Sequence, residues 1–174
     1  MKFLRMLAPA LILAGALSAQ QFKIDLDRLA AKASNSVDVS LNSFMLQLAA
    51  KFLDPKNNDE AKVKKMLNGL EGIFVRTFEF KNPGEWSESD LEPIRKQLKG
   101  PDWSRIVGVK SSEEGEKVEI YLRSTNSKVT GVAILASEPK SLTVVNIAGA
   151  VDLASLADLG DHFGFPKVDV PKQK

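Results

Sequence analysis

Four short apolar segments in the second half of the chain limit what it can fold into, because only brief turns separate them. The segments are Ser104–Lys110, Lys117–Arg123, Val129–Ala136 and Leu142–Ala148. A parallel pair of strands needs a crossover of roughly a dozen or more residues, whereas antiparallel strands can follow each other through a tight turn. The spacing therefore predicts an antiparallel meander that begins at Trp103.

The second of these segments alternates between apolar and polar residues. Its apolar face holds Val118, Ile120 and Leu122, and its polar face holds Lys117, Glu119, Tyr121 and Arg123. Such alternation is typical of a sheet that has one face on the core and the other in water. We therefore predict that the polar-face residues are exposed and form a candidate interaction face. An unpaired edge strand is the alternative docking place.

The first half of the chain shows helical spacing. Residues Gln21–Ser36 are modestly amphipathic and predict a short first helix. A second helix, capped by Ser40 or Asn42, is predicted to end at Asp54-Pro55 and to bury one apolar face. That face comprises Leu41, Phe44, Met45, Leu48, Ala49 and Phe52.

Two further elements precede the meander. A third helix is predicted to start at Asn58 or Asp59 and to end at Asn68-Gly69, because both terminal residues tolerate a left-handed backbone. The β-branched and aromatic residues of Ile73–Phe80 then predict a strand.

Two more helices complete the set. One begins at about Asp90, and Ser89 or Asp90 is preferred over Ser87 as its cap because Pro93 fits only the first turn of a helix. Asp152 can cap a closing helix, whose apolar residues are Leu153, Leu156 and Leu159.

These elements predict an α+β fold, with a mostly antiparallel five-stranded sheet and helices packed on one face. We assign a single domain to residues 21–165, because no repeat or low-complexity linker divides it. Residues 166–174 have few apolar anchors and are predicted to form a flexible C-terminal tail.

The first 20 residues have the three parts of a secretory signal peptide. Lys2 and Arg5 supply a basic start, Leu7–Leu17 is apolar, and small residues end at Ala19. The apolar run is too short to cross a bilayer as a helix, which needs about 20 residues. We expect an exported protein, periplasmic or extracellular after cleavage, with no integral membrane span. An uncleaved leader is the alternative.

The chain has no cysteine, so neither disulfides nor lipid attachment through a cysteine is available. Lys2 and Arg5 account for the whole excess of 24 Lys and Arg over 22 Asp and Glu. The remaining chain is neutral, which gives no electrostatic reason to expect nucleic acid as a partner.

The single histidine, His162, would have to carry any imidazole-dependent acid–base, triad or transition-metal chemistry. It follows the closing helix, where the negative end of the helix dipole favours a histidine without any catalytic role. Because no Gly-x-Ser-x-Gly motif occurs, the sequence offers no nucleophile elbow for it to serve.

Three charged groups allow other chemistry. Glycoside hydrolysis could use carboxylates beside Trp86, which are Glu85, Glu88, Asp90 and Glu92. A calcium site could use the turn residues Glu113, Glu114 and Glu116, although they lack EF-hand spacing. Lipid headgroups could be bound by lysines, namely Lys51, Lys56, Lys62, Lys64 and Lys65.

Each of these charged groups is better explained by a helix start, a solvated turn or a solvated helix face. We therefore predict no catalytic residue, no cofactor and no metal ligand. Arg76 is unusual because it shares a predicted strand face with Phe74 and Phe78, where it could be paired, lie at an edge or line a groove.

Over roughly Leu41 to Leu159 the chain resembles the bacterial envelope family known as domain of unknown function 4252. The resemblance rests on the helix SFMLQLAAKFL, the strand GIFVRTFEF, the run GEKVEIYLR and the ending LTVVNIAGAVDLASLADL. It implies an exported bacterial domain and no particular activity. Some members carry a lipid-anchoring cysteine after the leader, and this chain departs from that pattern.

The residues and the resemblance together predict a non-enzymatic binding or interaction module of the bacterial envelope, with an envelope protein as its partner. A small periplasmic hydrolase that uses Glu88, Asp90 or His162 is one alternative. A peripheral membrane-associated protein is the other. The sequence leaves the oligomeric state open.

Overall fold

A computed structural model describes residues 26–111 and 115–152. In that part of the chain the elements are α1 (Asp27–Lys32), β1 (Asn35–Asn42), α2 (Ser43–Lys51), α3 (Asn58–Gly69), β2 (Leu70–Glu79), α4 (Glu88–Gln97), β3 (Trp103–Lys110), β4 (Lys117–Thr125), β5 (Lys128–Glu138) and β6 (Ser141–Gly149). The strands form one six-stranded antiparallel sheet in the order β1-β2-β6-β5-β4-β3.

The predicted meander is confirmed, since β3, β4, β5 and β6 each pair antiparallel with the next strand along the chain. The turn between β4 and β5 places Asn126 and Ser127 at positive φ angles of 51° and 61°. Both central residues of a tight two-residue hairpin take such angles when the turn follows the right-handed twist of the strands.

The α+β class is confirmed, but the predicted number of five strands is wrong. The additional strand, β1, pairs antiparallel with β2 at the edge of the sheet. Its apolar residues alternate at Val37, Val39 and Leu41, which is a strand signal that helical assignments on both sides obscured. Leu41 suits either pattern, because it also stands one helical turn before Met45.

One face of the sheet, here called the closed face, is covered by α1 and α4. Strand residues such as Phe78, Leu135 and Leu142 pack there against α1 and α4 residues that include Leu29 and Leu91. All five of these side chains are buried. This cluster is the larger of the two hydrophobic cores in the described residues.

The opposite face carries the second core, which α2 and α3 cover at one end. Leu46 of α2 packs there with Leu70, Val132 and Val151, and Leu67 of α3 adds a partly buried side chain. Helices therefore lie on both faces, and the prediction of helices on one face is not confirmed.

The predicted inward face of α2 is also wrong. Phe44 and Phe52 are 72% and 82% exposed, whereas Leu46 and Ala50 are buried against the sheet. Apolar residues occur all round this helix, so helical spacing alone could not select the buried side. The start of the helix is as predicted, because the Asn42 side chain accepts a hydrogen bond from the Met45 N–H at 3.0 Å.

Helix α4 begins earlier than predicted, with Ser87 as its cap. The Asp90 carboxylate accepts a hydrogen bond from the Ser87 N–H at 2.9 Å and pairs with Arg28 of α1. Pro93 consequently lies inside the helix, beyond its first turn. The Asp90 interactions stabilise this start of the helix, although Pro93 has no backbone N–H to donate within it.

Several predictions concern residues outside the described ranges. They are the leader, most of the acidic turn, the closing helix with His162, and the C-terminal tail. Among residues 26–111 and 115–152, no helix is both long enough and apolar enough to cross a bilayer.

Gly149 is the last residue of β6 and has a backbone conformation that is unfavourable for any other residue. Its φ angle is +116°, and an added Cβ would lie 2.6 Å from the backbone nitrogen of Glu71 and from the oxygen of Gly69. We expect Gly149→Ala to lower the free energy of unfolding by about 2 kcal/mol or more, as measured by urea denaturation.

Gly84→Ala is the matched control, because Gly84 has a φ angle of +85° with no atom within 4 Å of an added Cβ. It should cost only the left-handed backbone strain, about 1 kcal/mol. Equal losses in the two variants would show that the close backbone approach at Gly149 is unimportant.

Candidate functional site

The face opposite α1 and α4 carries a row of aliphatic side chains that crosses all six strands. Direct strand partners form this middle row, which is Val39, Val75, Val145, Ile134, Ile120 and Val107. Partners opposite each other on antiparallel strands share a face, so the six side chains lie side by side. At about 4.8 Å per strand, the row is about 24 Å long.

A second row lies two residues further from α2. Its members are Val37, Thr77, Thr143, Ala136, Val118 and Val109. The Thr77 and Thr143 hydroxyls lie 3.2 Å apart and can hydrogen-bond each other. We call the two rows together the open face, which carries no charged side chain.

The open face is less covered than the closed face. None of its residues is fully buried, and Val37 and Val109, at its two ends, are 48% and 54% exposed. Along β5 and β6, the residues that alternate with those of the open face point to the closed face. Leu135, Leu142 and Val144 are such residues, and all three are buried. Val37, Val39 and Val109 are exposed, and the other nine residues of the open face are partly buried. Contiguous apolar surface that stays partly accessible is typical of interaction sites.

Helix α2 extends the exposed apolar surface at one end of the sheet. Phe44, Met45, Leu48 and Phe52 are all exposed on the side of α2 that faces away from the sheet. This group, here called the outer face of α2, follows helical spacing. The helix is therefore apolar both toward and away from the sheet.

The predicted interaction face occupies the other side of the sheet. Glu119 and Tyr121 are only 2% and 8% exposed, because α4 packs over them. Lys117 and Arg123 are partly buried. The expected exposure of this face is therefore wrong, and Glu119 and Tyr121 present little surface to a partner.

Glu119 is buried because α4 supplies its counterion. Arg95 donates to both carboxylate oxygens, from Nη2 at 2.8 Å and from Nε at 3.3 Å. The Tyr121 hydroxyl donates to Glu119 at 2.6 Å, and the Lys117 ammonium lies 3.1 Å away. Glu88 joins the group through Arg95 Nη2 at 2.6 Å and Lys117 Nζ at 3.2 Å.

These contacts shift the pKa values of both buried groups. Burial alone would raise the pKa of Glu119, but hydrogen bonds from Arg95, Tyr121 and Lys117 outweigh it and lower the pKa to about 2. Burial and the neighbouring Glu119 carboxylate raise the pKa of Tyr121 to about 12. At neutral pH the Glu119 carboxylate is therefore ionised and the Tyr121 phenol is neutral.

Glu88 and Asp90, two of the carboxylates considered for hydrolysis, also have lowered pKa values. Burial opposes the shift, yet Arg95 and Lys117 lower the pKa of Glu88. The Ser87 N–H and Arg28 likewise lower the pKa of Asp90. A general acid must hold a proton when it reacts, and a lowered pKa disfavours the protonated form of both carboxylates.

The remaining candidates have local partners. Arg76 pairs with Asp38 at 2.8 Å and with Asp27 at 3.5 Å, so the paired interpretation is correct. Trp86 donates its indole N–H to the Glu138 carbonyl at 3.0 Å. Lys62 lies 3.9 Å from Asp59 on the same helix.

Comparison with protein families now adds an identity at the level of the family. Residues 31–159 match the family described as "Domain of unknown function (DUF4252)", and the chain belongs to that family. The match covers most of the chain and confirms the resemblance. No curated protein matches the sequence.

The open face escaped prediction although its residues gave a signal. Val37 and Val39, Val75, Val145 and Ile134 repeat at intervals of two within their segments. Alternation shows which side chains share a face but does not say which face a helix covers. Which face α4 covers depends on the ion pair between Arg95 and Glu119, and Arg95 lies on a separate element.

The acid stability of the protein should depend on Glu119. Its pKa rises from about 2 in the folded state to an ordinary 4.5 on unfolding, so its contribution is complete above pH 4.5 and disappears as the pH falls toward 2. We expect Glu119→Gln to lower the free energy of unfolding at pH 7 by about 3 kcal/mol. Urea denaturation at pH 7 and pH 3 should show a smaller difference in the variant than in the original chain.

Glu92→Gln is the matched control, because Glu92 also contacts Arg95, at 3.3 Å, but is about half exposed. It should cost less than about 1 kcal/mol. A Glu119→Gln variant as stable as this control would contradict the role assigned to the buried pair.

Proposed function

We propose that the protein is a non-enzymatic binding module of the bacterial envelope and that it binds its partner through the open face. The observation that carries this proposal is the uncharged middle row of six aliphatic side chains across the whole sheet. Burying such a surface releases water and contributes about 25 cal/mol for each Å² covered. The partner accordingly presents an apolar surface, such as one face of an amphipathic helix.

The location of this activity is part of the same proposal. The basic, apolar and small-residue parts of residues 1–20 support export. The absence of cysteine favours a protein that is released from its leader without a lipid anchor. An envelope protein is therefore the proposed partner.

Two substitutions on the edge strand β1 test the docking face. Val37→Lys places a charge on the open face, whereas Ser36→Lys places the same charge one residue away on the opposite face. Both positions are exposed, so neither change should prevent folding. We expect crosslinking in the native envelope, followed by mass spectrometry, to recover a partner with the original chain and with Ser36→Lys.

Val37→Lys should reduce recovery of that partner by about tenfold, because a buried unpaired charge costs more than about 1.4 kcal/mol. Equal recovery with Val37→Lys would exclude the open face as the docking surface. Recovery of no partner with the original chain would count against the binding function itself.

Peripheral membrane association is the second candidate, and the outer face of α2 favours it. Phe44 and Phe52 are the most exposed large apolar side chains in the described residues. Lys51 and Lys56 are close to Phe52 in sequence, and apolar groups combined with lysines are typical of surfaces that bind anionic lipid.

Sedimentation with vesicles of anionic phospholipid at low salt distinguishes this candidate. If the membrane function holds, the protein pellets with the vesicles and Phe44→Ser/Phe52→Ser reduces the bound fraction by about tenfold or more. If the open face is the functional surface, the original protein stays in the supernatant.

A further inference from the structure

The two edges of the sheet differ in how well they are protected against pairing with another strand. An edge strand presents unpaired N–H and C=O groups, and proteins commonly guard such an edge with a β-bulge, lysines or prolines. The edge strand β3 has these features, because its pairing with β4 is interrupted between Arg105 and Val107 and the strand ends in Lys110. An interruption of this kind bends and twists the edge, which hinders the addition of a further strand.

The opposite edge strand, β1, has none of these features. Its eight residues all pair with β2 in one unbroken register. It contains no lysine, arginine or proline, and its one charged residue, Asp38, pairs with Arg76 at 2.8 Å. Every residue of β1 except Leu41 is exposed. In the described part of the chain, β1 is therefore a long and regular edge that is open to another strand.

Exposed apolar side chains are concentrated at this same edge. Eight large apolar side chains are exposed in the described residues, and six of them lie between Val37 and Phe52, on β1 or on α2, which directly follows it. The other two, Ile106 and Val109, lie on β3. A regular strand edge with apolar side chains beside it is suited to main-chain pairing with a strand of another molecule.

We propose that two copies of the chain pair through β1, antiparallel and about a two-fold axis at Val39, so that their sheets form one continuous sheet. Directly opposite residues of antiparallel strands share a face, so the open faces of the two copies lie on the same side. Val39 then lies opposite Val39 of the second copy, and Val37 lies opposite Leu41. The inference goes beyond the proposed function, because it uses the backbone edge of β1 and a second copy of the chain.

Charge and overlap select this register among the two-fold pairings. With the axis at Val39, Asp38 lies opposite Ser40 of the second copy, and the pairing joins residues 36–42 of both strands. An axis at Asp38 would place two carboxylates directly opposite each other, which is unfavourable. An axis at Val37 or Ser40 would join only residues 35–39 or 38–42. The strand is thus complementary to itself, as a two-fold interface requires.

Cysteine substitution tests both the pairing and its register, because the chain has no cysteine. With the axis at Val39, the thiols of Val39→Cys lie opposite each other, within the Cα separation of about 7 Å or less that a disulfide needs. Val37→Cys is the matched control, since its two thiols would be about 14 Å apart along the strands. In the protein purified as its native host processes it, a mild oxidant should link Val39→Cys into covalent dimers at least about tenfold faster than the control.

Both cysteine positions are exposed, so neither substitution should prevent folding. Equal rates in the two variants indicate random collision and overturn the inference. A faster reaction of Val37→Cys, or no covalent dimer from either variant, also overturns it.

Sedimentation velocity over a range of concentrations tests the pairing without a thiol. We expect the original chain to associate to twice its mass. Ser40→Asp places an acid opposite Asp38 at two symmetric positions and should weaken the dimer by about tenfold or more. Ser40→Lys places a lysine at the same positions and should leave the dimer at least as stable as the original.

Ser104→Asp is the control at the other edge, because Ser104 is an exposed serine of β3. It should leave the association unchanged. Equal weakening by Ser40→Asp and Ser104→Asp, or an original chain that stays monomeric at every concentration, overturns the inference. Ser40 lies on the opposite side of β1 from the open face, so the Ser40 variants leave the proposed docking surface intact.

Discussion

The structure depends on a single constraint, which is that its sheet is apolar on both faces. Antiparallel sheets commonly place one face on the core and leave a polar face in water. Here Leu135 and Val144 point to one side, while their neighbours Ile134 and Val145 point to the other. Two covers are therefore needed, and the described helices cover the closed face more fully than the opposite face.

The cover over the closed face is fixed by charge as well as by packing. Arg95 brings a guanidinium over Glu119, and Asp90 links the start of α4 to Arg28 of α1. Removing either partner of a buried ion pair leaves an uncompensated charge, which is strongly unfavourable. The Arg95–Glu119 pair thus specifies that α4 lies over the polar residues of β4, and the aliphatic residues of that strand face the other side of the sheet.

The fold was predictable wherever local chemistry decides it. The hairpin at Asn126, the cap at Asn42 and the meander from β3 to β6 all follow from short-range patterns. The prediction failed where a contact between distant residues decides. The exposed face of β4 was assigned wrongly because Arg95 is 24 residues from Glu119 in sequence. Strand β1 was missed because its pairing with β2, which distinguishes it from the neighbouring helices, is a contact between residues far apart in sequence.

The two covers should differ in their permanence. Helix α4 buries Leu91 and Ile94 and is held by ion pairs, whereas α3 has no fully buried residue. A surface that binds partners must be able to open, and such regions belong to the least stable parts of a fold. The weaker cover over the second face therefore fits the binding function proposed for that face.

Native-state hydrogen exchange followed by NMR tests this asymmetry most directly. We expect amides of α4 to exchange only through global unfolding, and amides of α2 and α3 to exchange through local opening at a clearly lower free energy. Equal protection of α3 and α4 would contradict the account, because both faces of the sheet would then be closed with the same stability.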